Sequence, residues 1–171
     1  LIYTRYLSAL RNFAGYMGIP SRNTEDVVQN VFLTLINNVH SYDVHRGSAV
    51  SFLYGITRNQ TLRWLRENRN FKAMEMETEH SDHNPYVDYL KAEEIAKLRD
   101  AIRELPEAYK EAIVLCDIHE LSYEEAASVL GCAIGTIRSR LNRGRSILAK
   151  YLRQGNGVSD YELSTLESNS L

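Results

Sequence analysis

A basic segment with one apolar face, residues 131–152, constrains the fold of this chain more than any other feature. The stretch GCAIGTIRSRLNRGRSILAKYL carries five basic side chains and no acidic one, although the formal net charge of the whole chain is −2. Winding it as a helix at the α-helical period gives an apolar stripe: Ile134, Ile137, Leu141, Gly144, Leu148 and Leu152. The opposite side is polar: Ser139, Asn142, Arg143, Ser146 and Lys150, with Arg138, Arg140 and Arg145 at its margins. One side therefore suits a protein core and the other suits an anionic partner.

The stretch immediately before it, LSYEEAASVLG, predicts a shorter helix. Ser122 and Glu125 have the spacing of a capping box, which marks a helix start. Small apolar residues follow, and Gly131 suits the left-handed position that ends a helix. Two short helices joined by a tight turn, the second of them basic, are typical of a helix-turn-helix. In that motif the second helix lies in the DNA major groove.

Charge is segregated along the chain. Residues 1–70 carry 8 basic and 4 acidic side chains, residues 71–130 carry 6 and 15, and residues 131–153 carry 6 and none. Two basic segments thus flank an acidic one. This pattern favours two separate contacts with a polyanion.

The helical pattern is interrupted once, by KAMEMETEHSDHNPYVDY, where we predict a linker over residues 72–89. An N-terminal domain then covers residues 1–71, a C-terminal domain covers residues 90–153, and a polar tail covers residues 154–171. No alternating strand pattern of useful length occurs. The predicted fold class is all-α, with two small helical domains joined by an acidic linker.

Apolar periodicity predicts further helices in both domains. The first opens at Asn23 and Thr24 and carries a continuous stripe: Val28, Val31, Phe32, Leu35, Ile36 and Val39. A second spans residues 49–69 with three residues directed inward: Phe52, Leu53 and Ile56. After the linker an amphipathic helix has four apolar positions: Ile95, Leu98, Ile102 and Leu105. Pro106 then suits the first turn of another helix.

Enzymatic and metal-binding functions lack their usual motifs. No Gly-rich phosphate loop, G-x-S-x-G or H-E-x-x-H stretch occurs, so we expect no catalysis and no cofactor. His40 and His45 have half of a zinc-binding spacing, but no neighbouring cysteine completes it, and we expect no metal site. No run of about 18 apolar residues indicates a membrane span. Without a secretory leader, and with Cys116 and Cys132 fitting a reducing compartment, a cytoplasmic location is expected.

Two blocks of the sequence together resemble one family. The stretches TEDVVQNVFLTL and SYDVHRGSAVSFLYGITRNQTLRWLR resemble the core-binding and promoter-melting domain of extracytoplasmic-function sigma factors, which belong to the sigma-70 family. The stretch LPEAYKEAIVLCDIHELSYEEAASVLGCAIGTIRSRLNRGRSIL resembles their second DNA-binding domain. The resemblance implies three partners: core RNA polymerase, promoter DNA with a duplex −35 and a single-stranded −10 element, and an anti-sigma factor.

The resemblance also implies roles for individual residues. The polymerase-contacting helix matches at Asp26, Gln29 and Asn30, where the family more often has an acid at the last position. Residues matched to the −10 element are Tyr42, His45, Arg46, Ser48, Phe52, Arg58, Asn59 and Arg63, with Tyr54 and Trp64 as further rings for stacking. Residues matched to the −35 element are Thr136, Arg138, Ser139, Arg140, Asn142, Arg143 and Arg145. Arg can contact guanine through two hydrogen bonds, and aromatic rings stack on unpaired bases.

Two other functions explain part of the pattern. A conventional helix-turn-helix regulator would use the C-terminal helices and treat residues 1–70 as a ligand-binding or dimerisation domain. It does not explain a set of basic residues late in the second N-terminal helix: Arg58, Arg63, Arg66 and Arg69. A helical adaptor that binds only protein leaves both basic segments unexplained. We therefore predict a sigma factor, and binding to core RNA polymerase separates the three functions.

Overall fold

A computed structural model of the protein describes residues 2–45, 47–68 and 88–155, and all regular structure in these ranges is helical. The helices are α1 (Ile2–Tyr16), α2 (Ser21–Asn38), α3 (Ala49–Glu67), α4 (Asp88–Glu104), α5 (Glu107–Ile113), α6 (Tyr123–Leu130) and α7 (Ile134–Gly155). A 3₁₀ turn (Val39–Ser41) follows α2, and a π-helical turn (Val114–Ile118) follows α5. The all-α fold class is confirmed. Most of the predicted linker and of the polar tail lies outside the described residues.

Helix α1 was not predicted from the sequence. Its buried residues recur at positions i, i+3 and i+4, which is the spacing of one helix face, namely Leu10, Phe13 and Ala14, and Met17 just after the helix is also buried. The Phe13 ring meets the Tyr54 ring of α3 edge-on, with 5.8 Å between centroids. This helix therefore forms one wall of the N-terminal core.

Helix α2 begins earlier than predicted, at Ser21 instead of Asn23. Pro20 precedes it with φ −58° and ψ 143°, so its rigid backbone supplies the conformation from which the helix starts. Thr24 lies inside the first turn, where it is buried and its hydroxyl donates to the Ser21 carbonyl over 2.7 Å. Thr24, predicted to open the helix, thus lies inside its first turn.

The apolar stripe of α2 is shorter than predicted. Val28, Val31 and Phe32 are buried, but the side chain of Ile36 is 68% exposed and Val39 is also exposed. At Val39 the α-helix gives way to the 3₁₀ turn, so that residue leaves the stripe. The prediction of a continuous core face to the end of α2 was wrong.

Helix α3 starts close to its predicted position. Ser48 is the N-cap residue, and its side chain accepts a hydrogen bond from the Ser51 backbone N–H over 3.1 Å. Leu53 is buried as predicted, whereas Phe52 and Ile56 are only half-buried. The other fully buried side chains of α3 belong to residues not predicted to point inward: Ser51, Tyr54, Thr57 and Thr61.

The helix-turn-helix of the C-terminal half is formed by α6 and α7. Ser122 and Glu125 make the predicted capping box, and Gly131 ends α6 in the left-handed conformation with φ 62°. Helix α7 then packs closely on α5. A Cβ atom at Gly144 would lie only 3.0 Å from Cγ1 of Ile113, so any larger residue here would require the Ile113 side chain to shift. Ile95 is exposed, in contrast to its predicted place on the apolar face of α4.

Apart from a small cluster of Ala14, Ile19 and Val27, the buried apolar side chains of both halves form one continuous cluster. It extends from Phe13 in α1 and Leu53 in α3 to Leu115 in the π-helical turn and Leu141 in α7. Helix α4 begins at Asp88, inside the range predicted as linker. The described helices contain no segment long and apolar enough to span a membrane.

Candidate polymerase and promoter interfaces

The outer face of α7 presents four of the predicted −35 residues together. Arg138, Ser139, Asn142 and Arg143 are exposed on successive turns of the helix. The opposite face is buried against α5 and α6: Ile137, Leu141, Gly144 and Leu148. Because one face carries all the packing, the polar face is held in a fixed orientation without having to contribute to the core.

The start of α7 is held by backbone hydrogen bonds instead of a side-chain cap. The Thr136 N–H donates to the Ala133 carbonyl over 2.9 Å. The Thr136 carbonyl in turn accepts a hydrogen bond of 2.9 Å from the Ser139 hydroxyl. In a helix-turn-helix the N-terminal residues of the second helix approach base edges, so these residues lie at the appropriate end.

Two of the predicted −35 residues are engaged within the protein. The Arg145 guanidinium makes two hydrogen bonds to the Asp117 carboxylate, of 3.0 and 2.7 Å. This ion pair raises the pKa of Arg145 above its usual value. Arg140 is half-buried, with its guanidinium 4.0 Å from the Cys132 sulfur. These contacts turn Arg145 and Arg140 toward the protein, unlike the four residues on the outer face.

The predicted polymerase residues share one face of α2. Asp26, Gln29 and Asn30 are all exposed, and their spacing of i, i+3 and i+4 places them side by side. Two apolar residues continue the same surface, with Leu33 58% and Ile36 68% exposed. The sequence analysis gave no role to Leu33 and placed Ile36 in the core. The sequence did contain a signal that Leu33 is exposed, because this residue falls outside the helical spacing of the buried residues of α2.

The predicted −10 residues do not share one surface, and the first group lines an apolar groove. The rings of Tyr42 and Phe52 lie 5.4 Å apart, and the Tyr42 hydroxyl donates to the Gly47 carbonyl over 3.4 Å. The groove has a volume of about 550 Å³, with Arg5 as its only charged lining residue in the described part of the chain. His45 is exposed nearby, and Arg46 lies outside the described residues.

The second group faces the C-terminal helices. The Arg58 guanidinium pairs with the Glu111 carboxylate, with Nε to Oε1 at 2.5 Å and Nη2 to Oε2 at 3.2 Å. The Ser48 hydroxyl donates to Oε1 of Glu125 over 2.7 Å. At about 100° per residue, Arg58 lies roughly a third of a turn from the row formed by Phe52 and Asn59.

The third group lies at the far end of α3. Asn59 and Arg63 are exposed, and the Arg63 guanidinium donates to the Glu67 carboxylate over 2.8 Å. This hydrogen bond raises the pKa of Arg63. Arg63 and Trp64 line a polar groove of about 270 Å³ between α2 and α3, next to Asn30. Tyr54, a further ring predicted for stacking, is buried in the core.

Each half of the chain matches a model of one region of the same family. Residues 2–71 match sigma-70 region 2, and residues 95–148 match sigma-70 region 4. The chain belongs to the extracytoplasmic-function sigma factors of the sigma-70 family. The members of this family are transcription initiation factors. The match to region 2 favours this function over a conventional helix-turn-helix regulator, which explains only the C-terminal half.

Individual relatives support the assignment. The sigma factor is 34% identical to ECF RNA polymerase sigma factor SigE of Mycolicibacterium smegmatis over 135 residues, which are 76% of this chain and 52% of that relative. It is 34% identical to EcfG of Rhodopseudomonas palustris over 152 residues, 84% of this chain and 79% of the relative. Among solved structures it resembles the sigma factor RpoE of Bartonella quintana in complex with the anti-sigma factor NepR. That pair has 29% identity and a TM-score of 0.68, covering 88% of this chain and 94% of RpoE. The chain thus spans about half the length of SigE and most of EcfG and RpoE.

Proposed function

We propose that this sigma factor binds core RNA polymerase in the cytoplasm and directs initiation at promoters with −10 and −35 elements. The observation that carries the proposal is the match of residues 2–71 to sigma-70 region 2 together with the two-sided α7, whose basic face is exposed and whose other face is buried at Ile137, Leu141 and Leu148. The matched regions 2 and 4 give the two contacts with DNA. In this function the polymerase performs the chemistry, and the sigma factor supplies recognition without a cofactor.

For the −35 element, the exposed face of α7 supplies two kinds of contact. Arg138 and Arg143 can each make a bidentate contact with guanine, and Ser139 and Asn142 can reach other base edges or phosphates. No acidic residue occurs from Gly131 to the end of the helix. The surface therefore attracts the DNA backbone while the side chains select bases.

For the −10 element, the groove beside Tyr42 and Phe52 suits an unpaired base. A flipped base needs a stacking surface and a cavity in which its edges meet polar groups. The two rings supply the apolar surface, and the loop before α3 supplies backbone groups. Asn59 and Arg63 are exposed further along α3, where they can follow the strand.

For the polymerase, the exposed face of α2 has the composition of a protein interface. Leu33 and Ile36 give it an apolar centre, and Asp26, Gln29 and Asn30 give it polar groups. Protein interfaces combine an apolar core with a polar rim in this way. The exposed carboxylate of Asp26 lies where a basic group of a partner can reach it.

In vitro transcription with core RNA polymerase and genomic promoter fragments tests the function. We expect transcripts that depend on this sigma factor and that disappear in the Asp26→Arg variant, whose stability should be unchanged because the residue is exposed. Glu25→Arg makes the same charge change on the neighbouring exposed position and should retain activity. Tight binding to duplex DNA without polymerase, and no dependent transcript, would instead identify a conventional regulator.

Regulation by an anti-sigma factor belongs to the same proposal. RpoE of Bartonella quintana, a similar structure, was solved with the anti-sigma factor NepR. We propose that a comparable inhibitor wedges between region 2 and region 4 of this sigma factor. Purification from the native host under non-inducing conditions should yield a stoichiometric partner. A sigma factor recovered alone would point to control by expression or by the polar tail.

A further inference from the structure

Arg145 differs from the other arginines of α7 because a carboxylate holds it. Of the arginines that the structure describes on this helix, Arg145 alone pairs with an acidic side chain, that of Asp117 in the π-helical turn. The pair has two hydrogen bonds, one from Nε over 3.0 Å and one from Nη2 over 2.7 Å. A bidentate pair of this kind fixes the plane of the guanidinium as well as its position.

The pair uses one edge of the guanidinium and leaves another. The planar fork of arginine has five N–H donors. Nε and Nη2 form the edge that Asp117 occupies, and Nη1 and Nη2 form a second edge. The Arg145 side chain is 50% exposed, so a ligand from solvent can reach that second edge. Two donors on one edge are also what a bidentate pair with a phosphate requires.

The position of this guanidinium depends on more of the protein than α7. Hydrogen bonding to Asp117 raises the pKa of Arg145, and Tyr123 at the start of α6 adds to the rise. Asp117 lies in the turn that follows α5, and Tyr123 belongs to the first helix of the helix-turn-helix. The charge is therefore held in a fixed place relative to both helices of the motif.

Arg145 also continues a row of predicted −35 residues on α7. Arg138, Asn142 and Arg145 occupy positions i, i+4 and i+7, which share one helix face, and all three are exposed. At about 1.5 Å per residue, Arg145 lies about 10 Å beyond Arg138 along the helix axis. In a helix-turn-helix the N-terminal residues of the second helix meet base edges. A side chain this far along is therefore placed for the phosphate backbone beside the groove.

We propose that Asp117 is a positioning residue for the −35 element, because it holds Arg145 with the second guanidinium edge turned to a backbone phosphate. Arg145 then binds a carboxylate and a phosphate at once, on different edges. Asp117 itself has no contact with the DNA in this arrangement. The inference rests on the proposed function, which supplies the promoter DNA that the holoenzyme binds.

Charge and preorganisation predict opposite signs for the effect of Asp117 on DNA binding. A carboxylate close to a DNA-binding face repels phosphate, so its removal would strengthen binding if charge alone mattered. A flexible side chain that must become ordered on binding instead lowers the affinity by about two- to tenfold. The proposal therefore requires that loss of Asp117 weakens binding, although this change removes a negative charge.

The first test compares two variants that each remove one negative charge. Asp117→Asn breaks the bidentate pair, whereas Glu120→Gln changes an exposed acid three positions further along. Both changes affect exposed residues, so both variants should fold. Each is combined with core RNA polymerase, and the affinity of the holoenzyme for a promoter duplex is measured. We expect about two- to tenfold weaker binding for Asp117→Asn than for Glu120→Gln. Equal or tighter binding by Asp117→Asn would overturn the proposal.

The salt dependence of the affinity separates positioning from a purely structural role. Arg145→Ala removes the phosphate contact and should reduce the slope of log affinity against log salt concentration by about one. Asp117→Asn should keep the parent slope, because Arg145 still reaches the phosphate once it is ordered. An unchanged slope for Arg145→Ala would show that the ion pair serves only the fold, and the proposal would be wrong.

The double variant shows whether Asp117 acts through Arg145. In the Arg145→Ala background, Asp117→Asn should cause no further loss of affinity, because the side chain that it positions is absent. A loss as large as in the parent background would contradict the proposal.

The parent holoenzyme separates the inference from the proposed function. A parent holoenzyme that binds the promoter no better than core polymerase alone would contradict the proposed function itself. A parent that binds the promoter, with Asp117→Asn no weaker than Glu120→Gln, would contradict the positioning role alone.

Discussion

Helices α7 and α3 both carry predicted DNA contacts, but the structure presents them differently. On α7 the outer residues Arg138, Ser139, Asn142 and Arg143 share one exposed face. On α3 and the loop before it, the predicted residues lie on three sides, and Arg58 is paired with Glu111. The four residues on α7 are therefore open to solvent, whereas Arg58 and Ser48 donate to the carboxylates of Glu111 and Glu125.

The largest expected effect comes from the buried face of α7. Leu141 is 1% exposed, and Leu141→Ala should reduce the free energy of unfolding by roughly 2–5 kcal/mol, because it removes packing and leaves a cavity. Arg143→Ala changes a residue two positions further along, on the exposed face. It should change the free energy of unfolding by no more than about 0.5 kcal/mol. Urea denaturation measures both. Similar losses for the two variants would contradict the two-sided description of α7.

The next largest effect is on the pH dependence of stability, and it comes from His119, whose ring packs beside Tyr54 of α3. Burial lowers the pKa of His119 from 6.5 to about 4, so the folded state binds this proton less readily than the unfolded state does. Stability should therefore fall as the pH is lowered from about 6.5 to about 4, by at most about 3 kcal/mol from this group.

Denaturation across that pH range measures the contribution of His119. His119→Phe keeps a ring between Phe13 and Tyr54 but cannot be protonated, so it should lose this part of the decline. His45→Gln changes an exposed histidine and should retain it. A decline of the parent size in His119→Phe would show that carboxylates alone cause the pH dependence.

Base selectivity gives a smaller effect on the α7 side. Arg143→Ala should cost roughly 1–3 kcal/mol of holoenzyme binding at the cognate base of one −35 position and little when that base is changed. The measurement is binding to a set of single-base −35 variants at two salt concentrations. Equal losses on every variant, with a salt slope reduced by about one, would make Arg143 a phosphate contact.

The smallest expected effect is the contribution of the Arg145–Asp117 ion pair to stability. The pair is half exposed, so a double-mutant cycle of Arg145→Ala and Asp117→Ala should give a coupling of about 0.2–1 kcal/mol in stability. If Arg145 contacts DNA as the family resemblance implies, Arg145→Ala should also weaken all promoters alike. Zero coupling combined with uniform loss of DNA affinity would show that the Asp117 pair does not compete with phosphate.

Helical periodicity predicted the parts of the site that depend on one helix. The capping box at Ser122, the left-handed Gly131 and the two faces of α7 all follow from local spacing, and the structure confirms them except at Ile134, which was predicted on the apolar stripe but is 37% exposed at the start of the helix. The exposure of Ile36 and the burial of Thr24 were missed. Both depend on where α2 begins and ends, and Pro20 and the 3₁₀ turn set those limits.

Contacts between distant segments were beyond the reach of periodicity. Arg58 and Glu111 are 53 positions apart, and nothing in the local pattern of either helix pairs them. The same applies to Arg145 and Asp117, which form an ion pair across α7 and the π-helical turn. The charge counts predicted two basic segments that contact a polyanion, with an acidic segment between them. They did not predict which acidic side chain pairs with which basic one.

The most direct test of the account is the detection of unpaired −10 bases by permanganate on a cognate promoter. The promoter is incubated with this sigma factor, with core RNA polymerase, and with both. We predict reactive thymines in the −10 element only when both are present, since the polymerase face of α2 and the two DNA surfaces must act together. Reactivity with the sigma factor alone, or none with the two combined at a promoter they transcribe, would contradict the account.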